Sequence, residues 1–360
     1  MNRTILPYLA CPVLCLAASS MAGRLVLPPV PATVPTPDVM ILTPSLAPDI
    51  VPATQAEGAR SWLTWEKTPT GSFRVERSAI PSRLITVSNG LFVLSQAERS
   101  IRLYSHRGRL LRRYGPLGDG ARPISDFAVT SDGLVWVADP NGITKALHPD
   151  GSAAKQLPAA IRALTIASIG DTLVIQPVAT PVFEYGDAML LLVSPGRHPT
   201  ALASFVEDHA RFGMAVSGIP VASPSGDSFY YVTRSAGLLA SYSPAGELRY
   251  LTRTIAAPEL PSLELTPTGA TKLPAQGDEF LRSVAVRGRY LLTLTDVKPG
   301  DPLQRDPTSV VDAYDRATGR YVGSFALPAR MRAITTMADT LYTASNNDIL
   351  SWTLPPALTQ

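Results

Sequence analysis

Five charged residues occupy equivalent places in a repeated pattern of short apolar segments and turns. Each lies six to eight residues before the first turn of its repeat, and they are Arg83, Asp126, Arg162, Arg282 and Arg332. A guanidinium is a rigid, permanently charged fork that matches the oxygens of a carboxylate or phosphate. If the fold brings these positions together, the sequence predicts an anion-binding site, completed by Arg122 and Tyr290. The alternative is structural, with each arginine paired to backbone carbonyls or to a neighbouring acid such as Asp126.

Conventional catalytic motifs are missing from the sequence. It has no P-loop, no GxGxxG after a strand, no HExxH and no GxSxG elbow. Three of the four histidines, His106, His148 and His198, lie beside turns, where a solvated side chain is expected, and the fourth is His209. No pair has metal-ligand spacing, so we expect no metal and no other cofactor. A Ser-His-Asp triad stays open, because its members come from distant positions in a chain.

The amino terminus is typical of an export signal. Arg3 precedes an apolar run, and small residues before Gly23 suit cleavage after Ala22, so residues 1–22 are predicted to be a signal peptide. The alternative is a lipoprotein anchored at Cys11. Both cysteines, Cys11 and Cys15, lie in this segment, so cleavage after Ala22 would leave a mature chain without thiols. We expect a periplasmic or extracellular protein with no transmembrane span in the mature chain.

Residues 23–60 are rich in proline and poor in charge, with eight prolines from Pro28 to Pro52. Such a density blocks helices and favours extended chain. We interpret 23–60 as a disordered spacer before a folded domain over 61–360. A proline-rich recognition ligand is the alternative, although flanking basic or aromatic anchors are lacking.

The folded part alternates short apolar segments with turns. Residues 126–151 read as three strands separated by TSDG and PNG and closed by PDG, and Asp-Gly and Asn-Gly suit tight hairpins. The first turn recurs at Gly90, Gly133, Gly170, Gly226, Gly288 and Ala338. The last turn recurs at Gly108, Gly151, Gly196, Gly246 and Gly319. A period of about 40 to 60 residues with several strands in each repeat predicts a β-propeller.

Six first turns match only five last turns, so the sixth repeat lacks a fourth strand. Residues 73–77 (FRVER) form an unpaired strand upstream of the first repeat. Pairing this segment with residues 349–353 (ILSWT) would close the ring and leave no open edge. The sequence therefore predicts an all-β, six-bladed β-propeller whose last blade is closed by an N-terminal strand.

One repeat carries a family resemblance. Residues 124–151 (ISDFAVTSDGLVWVADPNGITKALHPDG) resemble a blade of the NHL-type, TolB-like and SMP-30-like six-bladed propellers, and residues 101–120 resemble bacterial extracytoplasmic members. The resemblance implies that the five charged residues stand at one mouth of a central channel, where an acidic or polar residue such as Asp126 is usual. It also implies a possible enzyme, because related propellers include metal-dependent lactonase-like hydrolases and lyases.

Net charge and sequence motifs together favour a binding function over an enzymatic one. The chain of 360 residues has a formal net charge of +3, which argues against nucleic acid as a partner. Arginines at the channel mouth would repel a divalent metal. We therefore expect a monomeric, non-catalytic propeller that binds a small anionic ligand or an envelope protein. The alternative is a metal-dependent hydrolase or lyase with its site in the channel.

Overall fold

Six four-stranded antiparallel sheets repeat along the chain, with one additional small sheet. The structure is a computed structural model, and it describes residues 40–55, 60–76, 80–117, 124–158, 161–178, 185, 187–255, 260–265, 271–272, 281–296 and 309–359. Helical structure in these residues is limited to α1 (His209–Phe212) and the 3-10 turns Gly213–Val216 and Pro356–Leu358. The predicted signal peptide and residues 23–39 of the predicted spacer lie outside the described residues.

Each of the first five blades takes its four strands consecutively, from the inner strand to the outer one. Blade 1 contains β3 (Pro81–Val87), β4 (Gly90–Ser95), β5 (Ser100–Tyr104) and β6 (Leu110–Tyr114). Blade 2 contains β7 (Asp126–Val129), β8 (Val135–Ala138), β9 (Lys145–Leu147) and β10 (Ala153–Gln156). Blade 3 contains β11 (Ala163–Ile169), β12 (Thr172–Pro177), β13 (Leu190–Val193) and β14 (Thr200–Leu202). The first three blades therefore share one plan.

The second half of the ring has the same plan. Blade 4 contains β15 (Gly218–Ala222), β16 (Phe229–Thr233), β17 (Leu238–Tyr242) and β18 (Leu248–Arg253). Blade 5 contains β21 (Leu281–Arg287), β22 (Tyr290–Asp296), β23 (Ser309–Asp315) and β24 (Tyr321–Ala326). Blade 6 contains β25 (Ala333–Met337), β26 (Thr340–Ala344), β27 (Asp348–Thr353) and, as its outer strand, β2 (Gly71–Arg74). The predicted six-bladed propeller is confirmed.

The ring is closed by β2. It pairs antiparallel with β27, with Phe73 opposite Ile349 and Arg74 opposite Asp348. The predicted closure is thus confirmed for Phe73 and Arg74, while Arg77 lies outside the described residues. Without β2, the edge of β27 would present unpaired backbone groups.

The predicted turns lie where the hairpins need them. Gly133 joins β7 to β8 with φ +81°, and Gly151 joins β9 to β10 with φ +91°, a region that glycine enters without steric cost. Ala338, at the first turn of blade 6, adopts φ +46° without being glycine. Turn chemistry therefore fixes where each strand ends and keeps the inner strands in register.

Apolar side chains fill the spaces between neighbouring blades, and hydroxyls link the inner strands. Trp136 of blade 2 packs with Ile166 and Ile175 of blade 3. Nearer the channel, Thr86 Oγ1 donates to Thr336 O at 2.7 Å, and Thr336 Oγ1 donates to Val286 O at 2.8 Å. These bonds join blades 1, 6 and 5 directly, so the inner strands that line the channel are hydrogen-bonded to one another.

The described residues 40–55 and 60–70, which we call the N-terminal strap, lie along the outside of the ring. The additional three-stranded sheet pairs β1 (Met40–Leu42) with β19 (Leu263–Leu265), which pairs with β20 (Thr271–Lys272). Farther along, Ala53 bridges to Thr252 on β18, and Trp62 bridges to Ser324 on β24.

Residues 40–55 and residue 60 were predicted to belong to a disordered spacer, whereas the structure shows them as extended chain in contact with the ring. The prolines limit regular pairing to β1, and beyond it isolated bridges and side-chain contacts hold this extended chain against the ring. Trp65 packs 4.9 Å from Phe325 and 5.5 Å from Trp352, measured between ring centroids. Within the described part of the chain, no helix has the length and apolar character that crossing a membrane requires.

Candidate functional site

A cavity of about 1050 Å³ opens at the end of the channel where the inner strands begin. We call it the mouth cavity. Its lining comes from all six blades, mainly from inner-strand starts and from the turns between second and third strands. The inner-strand starts of the six blades therefore meet at one shared cavity.

Most of the predicted site residues line this cavity. Four of the five predicted residues do so, namely Arg83, Asp126, Arg282 and Arg332. Ser217 of blade 4 lines the cavity as well. Arg162 is not among the described lining residues, because its Nη1 donates to Asn141 O of blade 2 at 3.3 Å. The structural alternative, an arginine held by a backbone carbonyl, thus describes the contact seen for Arg162.

Tyr290 does not complete the site. Its ring is buried in the apolar cluster between blades 5 and 6, and its hydroxyl donates to Ala357 O at 3.0 Å. The expectation for Tyr290 was wrong, since its place at the start of β22 puts it at the far end of the blade from the mouth. Arg122 lies outside the described residues.

Arg83 crosses the channel. It begins in blade 1, and its Nη2 donates to Pro220 O at 3.3 Å on the inner strand of blade 4, which is the blade opposite. Its Nε lies 3.5 Å from Asp126 Oδ1 of blade 2. Only 9% of the residue is exposed, so the side chain forms part of the cavity floor.

Asp126 is held by backbone donors as well as by Arg83. Oδ1 accepts the N–H of Phe127 at 2.9 Å, and Oδ2 accepts the N–H of Ile166 on blade 3 at 3.1 Å. The carboxylate thereby ties blade 2 to blades 1 and 3. These contacts satisfy both of its oxygens and make Asp126 a positioning residue for Arg83.

Arg282 and Arg330 share one carboxylate at the blade 5 side of the mouth. Arg282 Nη2 lies 2.7 Å, and Arg330 Nη2 lies 2.6 Å, from the same oxygen, Oδ2 of Asp296. One negative charge between two guanidinium groups leaves this corner positive.

Arg332 stands beside a neutral partner. Its Nε and Nη2 lie 3.2 and 3.1 Å from the side-chain oxygen of Asn346, and the residue is exposed. A neutral amide orients the guanidinium without cancelling its charge. Arg332 is therefore suited to take a second, charged acceptor.

Two lining arginines escaped the sequence analysis. Arg234 lies in the turn between β16 and β17, where its N–H donates to Ser217 O and its carbonyl accepts from Leu281 N. Arg330 lies two residues before Arg332. The spacing before each first turn locates only the starts of inner strands, whereas turns between second and third strands reach the same mouth. Including those turns in the repeat pattern would have predicted Arg234.

His209 is the one histidine that departs from a solvated position. It is buried on α1, and its Nδ1 lies 2.7 Å from Ser204 Oγ. Burial lowers the pKa of His209 to about 4, against an opposing effect of Asp187. His209 is not among the described residues that line the mouth cavity.

Among the residues that the structure describes, no group of three or more His, Cys, Asp or Glu side chains could hold a metal ion.

Comparison with known proteins identifies the fold. No protein-family model matches the chain, and no curated protein matches it in sequence. Solved structures do match. The chain is a six-bladed β-propeller. It is similar to virginiamycin B lyase from Staphylococcus aureus, with 10% identity, coverage of 79% of this chain and 98% of that chain, and a TM-score of 0.50.

Two further structures show the same likeness. A member of the DUF4221 family from Bacteroides vulgatus is 10% identical, with 82% of this chain and 98% of that chain covered and a TM-score of 0.51. A catalytically inactive form of the Staphylococcus aureus lyase, with quinupristin, is 10% identical over 79% of this chain and 98% of that chain, with a TM-score of 0.50. At such low identity, these similarities establish the architecture and not the chemistry.

Proposed function

We propose that this protein is an exported, non-catalytic propeller of the NHL-type superfamily that binds an anionic ligand in the mouth cavity. The single observation that carries the proposal is the charge of the lining. Five arginines line the cavity, and Asp126 is the one acidic residue among the described lining residues. Export is part of the proposal, and its support is the sequence of residues 1–22.

The arrangement favours an anion for two physical reasons. A concave site with low-dielectric walls concentrates the field of its charges, so several arginines around one mouth attract anions more strongly than scattered surface arginines do. Arg332 and the Arg282–Arg330 pair also present fork-shaped donors that match carboxylate and phosphate geometry. A volume of about 1050 Å³ lies at the upper end of small-molecule sites.

The test is calorimetric titration of the purified protein with citrate and with inorganic phosphate. In the double variant Arg282→Gln/Arg332→Gln, Asp296 keeps Arg330, so the fold should persist. Loss of charge-assisted hydrogen bonds should weaken binding by at least about tenfold. The control, Arg112→Gln, removes an exposed arginine from the outer strand β6 and should leave the affinity unchanged.

Two results would count against this function. If neither anion binds the wild-type chain, or if the Arg112→Gln control weakens binding as much as the double variant, the mouth is not an anion site. A rise in melting temperature on adding calcium, with no response to either anion, would instead favour the metal-dependent hydrolase or lyase.

A further inference from the structure

The mouth cavity has two unlike sides. Four of its arginines, which we call the cationic arc, belong to blades 4, 5 and 6 and to the connection between the last two, and they are Arg234, Arg282, Arg330 and Arg332. The arc runs around one half of the ring. The fifth arginine, Arg83, is buried in the floor.

The opposite side of the mouth carries apolar side chains among its polar ones. Leu164 lies on β11 and Val178 directly follows β12 in blade 3, and Met214 lies in the 3-10 turn that leads into blade 4. We call these three residues the apolar arc. Met214 is 39% exposed, so its side chain is accessible to a ligand in the cavity. In a ring of six blades, blade 3 stands opposite blade 6, so Leu164 and Val178 face Arg332 across the mouth.

Polar groups separate the two arcs at the floor. Gln176 is buried, and its side-chain oxygen accepts from Thr165 Oγ1 at 3.1 Å and from Gly218 N at 3.3 Å. Thr165 Oγ1 in turn lies 3.2 Å from Gly218 O of blade 4. These polar groups bind one another across the boundary between blades 3 and 4, so the floor is a structural base and leaves recognition to the two arcs.

We infer that the ligand of the mouth cavity is an amphipathic organic anion, with a carboxylate or phosphate held by the cationic arc and an apolar body held by the apolar arc. This inference rests on the anion-binding function proposed above. A small inorganic anion would contact only one side and leave Met214 exposed to water. Each methylene that moves from water onto the apolar arc raises the affinity by roughly fourfold.

The experiment compares octyl phosphate, inorganic phosphate and 1-octanol by calorimetric titration of the full chain, with octyl phosphate kept below micelle-forming concentrations. Octyl phosphate should bind at least about 100-fold more tightly than inorganic phosphate, since several methylenes are buried. In Val178→Ser/Met214→Ser, that advantage should fall by about tenfold or more while phosphate binding is retained. In Arg332→Gln, both phosphate compounds should bind more weakly.

Leu111→Ser is the matched control. Leu111 is 37% exposed on the outer strand of blade 1, outside the mouth cavity, so its replacement should change no affinity. If octyl phosphate binds no better than inorganic phosphate, or if Leu111→Ser costs as much as the apolar-arc variant, this inference is wrong although anion binding stands. If 1-octanol binds as well as octyl phosphate, the phosphate contributes nothing and this inference is also wrong. If neither phosphate compound binds, the proposed function itself fails.

Discussion

At the scale of single residues, His209 couples the stability of the fold to pH. Its imidazole is buried beside Ser204, and burial lowers its pKa to about 4, below the value of about 6.5 for an unfolded chain. Between these two values, the unfolded state binds more protons than the folded state does. The free energy of unfolding therefore decreases as the pH falls from about 6.5 towards 4.

We expect the His209→Gln variant to remove this dependence. Glutamine keeps a group that can bond to Ser204 but does not titrate, so its stability should change less between pH 7 and pH 4.5. The difference between the two chains should reach at most roughly 3 kcal/mol near pH 4, from a shift of about two and a half pKa units. Urea unfolding at several pH values measures it. Parallel pH profiles for the two chains would show that His209 takes up its proton at the same pH in the folded and unfolded states.

Residue positions in the site were predictable only where the repeat fixes them. The spacing before each first turn placed Arg83, Asp126, Arg282 and Arg332 at the mouth, because inner strands begin there in every blade. The direction of each side chain did not follow from spacing. Arg162 turns towards a carbonyl of blade 2, since that acceptor is within its reach.

At the scale of elements, the N-terminal strap is the largest departure from the sequence analysis. Proline density and low charge are properties of the segment itself, and they indicated an unstructured spacer. Its partners lie on β18 and β24, about 200 or more residues away in the chain, and nothing local marks them. Long-range acceptors such as Leu251 O, which accepts from Ala53 N at 3.0 Å, become apparent only in the folded ring.

One buried ion pair fastens this strap. Arg60 Nε donates to Asp312 Oδ1 at 2.9 Å, and the Asp312 side chain is only 1% exposed. Ser324 Oγ also donates to Asp312 Oδ1, at 2.5 Å. Removal of Arg60 would leave a buried carboxylate without its cation, which typically costs several kcal/mol.

We expect Arg60→Ala to lower the free energy of unfolding by about 3 kcal/mol, measured by urea denaturation. Arg74→Ala is the matched control, because Arg74 pairs with Asp348 at 3.3 Å on the surface and should cost under about 1 kcal/mol. Adding Asp312→Asn to Arg60→Ala should restore part of the loss, since the uncompensated charge disappears. Equal losses in Arg60→Ala and Arg74→Ala would mean that water reaches Asp312 when Arg60 is removed.

At the scale of the whole molecule, the mouth cavity depends on ring closure. Its walls come from blades that are neighbours in space only because β2 completes blade 6 and β25 meets β3. The sequence could predict this arrangement, since a missing last turn and an unpaired upstream strand are both visible locally. The full set of residues that line the cavity could not be predicted, because some of them lie in turns and connections outside the inner strands.

Val75 gives the sharpest test of closure. It follows β2, its N–H donates to Asn347 O at 2.8 Å, and it is buried with Leu84 of blade 1 and Ile349 of blade 6. Val75→Ala removes packing only and should cost about 2 kcal/mol in urea unfolding. Val75→Pro also removes the N–H that donates to the half-buried Asn347 carbonyl, which should cost a further ~1 kcal/mol.

The two variants should also differ in assembly. Proline at 75 loosens β2 from β27, and an open strand edge pairs with other chains, so Val75→Pro should form larger species as its concentration rises. Val75→Ala keeps the edge covered and should keep the assembly state of the wild-type chain. Light scattering coupled to size-exclusion chromatography distinguishes them. If Val75→Pro has the same mass in solution as the wild-type chain and is as stable as Val75→Ala, then the apolar contacts between blades 6 and 1, and not the β2–β27 pairing, hold the ring closed.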